Sequence, residues 1–193
     1  MDDTAASGRR RPTRRLKVDL VDLAAAFDNA SWEMSYFLDL ETGRVILITA
    51  ETRGQYDELI ASIGDVGQTE WAAAFEAALK DWDIPDWQQE SVRDANLVET
   101  GFGKRFIGIP QADSRDGYHD MEAFIESVTN ERLAERLARA IQGRGAFRYF
   151  KDVLLDFPKE RERWFAFRDA RQRQRVLEWL ESEGVELVTG GNE

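Results

Sequence analysis

The chain has 193 residues, 42% hydrophobic and 33% charged, with six tryptophans, no cysteine and a net charge of -11. That length suits one domain burying roughly two-thirds of its unfolded surface, and the lack of cysteine excludes disulfides, thiolate metal sites and thiol catalysis, as expected in a reducing cytosol. No apolar run approaches the roughly 20 residues of a membrane span, and residues 1–15 lack a signal-peptide core, so the expectation is a cytoplasmic protein with no membrane association.

Residues 1–15 hold five arginines around Pro12 without apolar periodicity, which predicts a disordered basic tail, solubilising rather than ligand-binding. Leu16, Leu20, Leu23 and Phe27 then recur at helical spacing until Asn29, with Asp19 and Asp22 at the start. From Glu33 the period becomes two: Met34, Tyr36, Leu38 and Leu40 face one way, Ser35, Phe37 and Asp39 the other. Glu41-Thr42-Gly43 supplies a turn before the apolar run Val45–Ile48, so residues 33–49 read as a β-hairpin.

Residues 51–63 form a weaker helix ended by Gly64, and Trp71, Ala74, Phe75, Ala78, Leu79 and Trp82 mark a clearer one. Trp71, Trp82 and Trp87 could stack a base or sugar, but aromatics at helical spacing are more often core. Asp86 and Gln89 suggest a capping box for a helix running toward Val98. A third strand, 104–109, stops at Pro110. Asp113 or Ser114 caps the next helix, whose stripe is Tyr118, Met121, Ile125 and Val128; Asn130 caps another, carrying Leu133, Leu137 and Ile141. Gly143-Arg144-Gly145 separates it from helix 146–157, and Pro158 opens a last helix to about Glu183. Residues 185–188 read as a fourth, edge strand, and 189–193 as a frayed end. The resulting fold class is α+β: residues 16–188 as a single domain, a small antiparallel sheet of a hairpin plus one or two further strands packed against a set of helices.

Neither a P-loop nor a dinucleotide fingerprint is present, since Gly101-Phe102-Gly103 precedes a strand instead of linking strand to helix. The sole histidine, His119, has Asp116 and Glu122 three residues to either side, one helical face that could ligate a metal or relay a proton. An acidic helix produces such neighbours by chance, so no metal or cofactor is assigned.

The remaining constellation is cationic. Arg144 at the turn, with Arg148 or Lys151, stands near the free amides that begin helix 146–157, while Trp164, Arg168, Arg171 and Arg175 form one narrow stripe. Together they suggest a surface for an anion or a protein partner. Charge sums weigh against a free surface: residues 1–15 total +3, residues 16–130 total -15 and residues 131–193 total +1. The acidic body repels nucleic acid, and pairing between it and the arginines is the commoner fate of such charges.

Leu16-Lys17-Val18-Asp19, Tyr36 through Gly43, Ile109-Pro110, Ser114-Arg115, Tyr118 and above all Gly143 through Asp152 resemble the bacterial uncharacterised protein family 0158 over roughly residues 16–188. Members often carry a second basic residue after Phe-Arg, where this chain has Tyr149. The resemblance implies a cytoplasmic bacterial domain and no catalytic role. The function read from the sequence is a non-enzymatic binding or regulatory domain using the arginine-rich C-terminal helices, with a metal-dependent or hydrolytic enzyme built on His119 as the alternative.

Overall fold

A computed structural model describes residues 13–29 and 31–188. Its architecture is α+β and divides into two compact units, Arg14–Pro110 together with the chain from Leu187, and Gln111–Glu186.

The N-terminal unit holds β1 (Arg14–Leu16), α1 (Leu20–Asp28), β2 (Met34–Asp39), β3 (Val45–Thr49), α2 (Ala50–Ile63), α3 (Trp71–Asp81), α4 (Asp86–Gly101) and β4 (Phe106–Gly108). The expected hairpin is β2 and β3, antiparallel, with Tyr36 opposite Leu47 and Leu38 opposite Val45. β4 adds to the other edge of β2, giving the order β3-β2-β4. Being central, β2 is buried on both faces over Phe37, Leu38 and Asp39, so at this end of the strand the two opposite-facing sets are both interior. Its core joins Phe37, Ile46 and Ile48 to Tyr56, Leu59, Phe75, Leu79, Val92 and Val98.

Asp39 ends β2 with 2% of its surface exposed. Its Oδ1 accepts from the Glu41 amide at 2.9 Å and Arg105 Nε at 3.0 Å, and its Oδ2 from the Thr42 hydroxyl and Arg105 Nη2, both at 2.8 Å. Burial is the largest single effect on this carboxyl and raises its pKa. The Arg105 hydrogen bonds, the Glu41 amide and the Thr42 hydroxyl together override it and hold the pKa at about 2. Gly43 completes the turn at φ 78°, where any Cβ would run into the Lys17 carbonyl oxygen.

The C-terminal unit contains α5 (Ser114–Glu126), α6 (Glu131–Ala140), α7 (Ala146–Leu155), α8 (Pro158–Ser182) and the start of β5 (Val185–Leu187). Asp113, not Ser114, caps α5 by accepting from the Arg115 amide at 3.0 Å, and Asn130 caps α6 through the Leu133 amide at 3.2 Å. At the centre Phe150 and Trp164 lie edge to face at 4.8 Å, with Phe124 at 5.2 Å from Trp164 and Phe167 stacked beyond it.

Four expectations are corrected. Arg14 and Arg15, assigned to the tail, belong to β1, and Leu16, assigned to the first helix, ends that strand; the rest of the tail and residues 189–193 lie outside the described residues. The last strand joins a separate two-stranded sheet with β1, not the main sheet: Val188 N–H donates to Leu16 C=O at 2.9 Å. The capping box is absent because Pro85 occupies the cap position and Asp86 is already helical.

Candidate functional site

The turn between α6 and α7 places both its glycines in the left-handed region, Gly143 at φ 84° and Gly145 at φ 89°. Those angles reverse the chain abruptly and bring the first turn of α7 onto the first turn of α5. Gly117 permits the approach: a Cβ there would stand 2.9 Å from the Phe147 ring. Between these elements lies an open groove of about 590 Å³, lined by Ser114, Arg115 and Tyr118 on one side and by Ile141, Gly143, Gly145, Ala146, Phe147 and Arg148 on the other. That volume falls within the range of small-ligand sites.

The floor is apolar and the rim cationic. Arg148 lies over the Tyr149 ring at 4.9 Å, and Arg115 approaches Asp113 at 3.7 Å while remaining almost wholly solvated. Among the described residues Arg144, Arg148 and Lys151 are exposed and meet no carboxylate; Asp152, one turn from Arg148, does not pair with it. Phe147 and Tyr149 are 43% and 45% exposed. Arg144, Phe147, Arg148, Tyr149 and Lys151 thus face water, the three cations without a carboxylate partner among the described residues, although the ring beside them, Phe150, is wholly buried.

The remaining sequence-predicted residues do not extend this site. Trp164 is 4% exposed, locked among Phe124, Phe150 and Phe167, so its indole offers no stacking face to a ligand. Arg171 Nε and Arg175 Nη1 each donate to Asp120 Oδ1 at 3.0 Å. Asp120 Oδ2 is 2.9 Å from Arg175 Nη2 but off the hydrogen-bonding direction. With 1% of its surface exposed, this carboxylate needs both cations to offset its desolvation. Arg168 pairs with its neighbour Asp169 at 3.2 Å. The stripe on α8 is therefore largely neutralised by its own molecule, as the charge sums anticipated.

Asp120 adjoins His119 in sequence, but its helical phase sets it with Met121 and Phe124 on the inward face of α5. His119 points the other way, its Nδ1 3.2 Å from Glu122 Oε2 on the surface. Asp116 does not join them, and among the described residues no three His, Asp or Glu side chains converge to hold a metal ion.

Ser114, Arg115, Tyr118 and residues of the Gly143–Arg148 turn, distant in sequence, thus line one groove. A model of an uncharacterised protein family, UPF0158, matches residues 79–192. The chain belongs to UPF0158. The matched region includes all of the C-terminal unit and its groove. A UPF0158 protein of Pseudomonas aeruginosa is 24% identical over 173 residues, covering 90% of this chain and 87% of that one. UPF0158 proteins of Chlamydia trachomatis and Chlamydia muridarum are each 26% identical over 76 residues, covering 37% of this chain and 23% of theirs. No solved structure matches the chain. No helix among the described residues is long and apolar enough to cross a membrane.

Proposed function

We propose that this UPF0158 protein is a non-enzymatic binding or regulatory domain of the cytoplasm, whose site is the groove between the first turns of α5 and α7. Its ligand is a group bearing phosphate or carboxylate on an apolar body, free or carried by a protein partner. The observation that carries this reading is the meeting of an apolar groove with Arg148, a guanidinium that has no carboxylate partner among the described residues. Arg115 and the Ser114 hydroxyl offer further donors to the same anion. A long polyanion fits less well, since the net charge of -11 opposes its approach.

Phenyl phosphate combines a ring with a dianion and serves as the probe. Calorimetric titration is expected to give saturable binding that weakens with salt and falls at least about tenfold in Arg148→Glu, in keeping with about 1.5–3 kcal/mol for a hydrogen bond to a charged group. Absence of binding, or binding indifferent to Arg148, overturns the reading.

A further inference from the structure

Residues 50–83 carry eight carboxylates against only Arg53 and Lys80, and Arg53 is already held by Glu99 at 3.3 Å. A groove of about 300 Å³ between α2 and α3 is lined by Glu58, Leu59, Ser62, Ala78, Asp81 and Trp82. Glu58 and Asp81 are exposed, stand on opposite helices and meet no cation among the described residues. Trp82 is half-buried, anchored on the core beneath. Paired carboxylates beside an indole suit a cation carried on an apolar stem or next to a ring.

The same chain displays the complementary chemistry on α7. Arg148 and Lys151 lack carboxylate partners among the described residues, and the exposed rings of Phe147 and Tyr149 flank them. Arginine beside tyrosine is the composition of interface anchors, and two large rings held in water next to unpaired cations mark a face that gains from being covered.

We infer that the first two turns of α7 in one copy of this chain dock in the α2–α3 groove of a second copy. Arg148 and Lys151 meet Glu58 and Asp81, and an aromatic ring of α7 lies against Trp82. The contact joins two different patches, so it is heterologous and produces either a closed ring or a growing chain. Repulsion between net charges of -11 acts at long range and is screened beyond a Debye length of about 8 Å at physiological salt, leaving the local pairing to decide. This rests on the anionic-ligand reading for Arg148 and deepens it by naming a second copy of the chain, through α2 and α3, as the carrier of the carboxylates.

Sedimentation velocity over a wide concentration range tests it. Wild-type protein is expected to self-associate, and either Glu58→Lys with Asp81→Lys or Arg148→Glu with Lys151→Glu is expected to weaken association at least about tenfold. Mixing the two charge-reversed variants is expected to restore it, because each then offers what the other lacks. A wild-type monomer at every concentration, association that survives either pair of substitutions, or a mixture that stays monomeric overturns the proposal. The Glu58/Asp81 variant leaves Arg148 intact, so phenyl phosphate binding measured on it reports separately on the anion site.

Discussion

Asp39 and Asp120 show how a buried carboxylate is handled in two ways. Asp39 is held by a turn of its own chain and by Arg105, so its folded pKa of about 2 lies below the ordinary carboxylate value. The stabilisation is complete above about pH 4 and is lost as pH falls through 2. At neutral pH it amounts to about 2 kcal/mol, and Asp39→Asn is expected to lower unfolding free energy in urea by that order, the gap to wild type closing between about pH 4 and 2. Asp120 instead relies on two arginines of another helix, both partly solvated. Asp120→Ala leaves those cations to water rather than burying them bare, so the expected loss is about 2 kcal/mol, below the 3–5 kcal/mol of a fully interior pair. Gly43 admits no substitute: Gly43→Ala combines a positive φ with a collision against Lys17, and a stability loss above about 1 kcal/mol in the same urea assay is expected.

Among the elements, α5 and α7 define the groove, and their contact rests on a missing methyl. Gly117 lies within α5, where alanine favours the helix by about 1 kcal/mol, but the new Cβ meets the far end of the Phe147 ring. Because that ring is 43% exposed, it can swing aside at little cost. Gly117→Ala is therefore expected to leave the melting temperature unchanged or slightly raised while weakening phenyl phosphate binding. A fall in both would mean that Phe147 supports the helix packing and not only the groove wall. At the other end of the same unit, Asn130→Ala removes the side-chain acceptor for the Leu133 amide and is expected to destabilise by about 1 kcal/mol.

For the molecule as a whole the governing quantity is charge distribution. Isolated surface ion pairs such as Arg53–Glu99 and Arg136–Asp156 contribute little each, whereas the excess of -11 repels itself throughout. Raising ionic strength from about 0.02 to 0.5 M is accordingly expected to raise the melting temperature in a calorimetric scan, because screening removes more repulsion than attraction.

Much of the element plan was legible because it depends on local chemistry. The two-residue period of 34–40, the cap at Asn130, and the glycines at 143 and 145 each name their structure without help from distant residues. Helical phase puts Phe147, Tyr149, Phe150 and Leu154 on one apolar half of α7, yet only Phe150 and Leu154 of these are buried, while Phe147 and Tyr149 stay 43% and 45% exposed because no second element among the described residues covers that edge of the stripe. What a period cannot state is which second surface an element meets. Nothing local distinguishes Arg171 and Arg175, which clamp Asp120, from Arg148, which faces water, since all three are arginines on amphipathic helices. That choice is made when α5 packs on α8 and burial of one carboxylate draws in the nearest cations. The groove likewise exists only where Ser114-Arg115 and Gly143–Arg148 are brought side by side, and that proximity comes from tertiary packing.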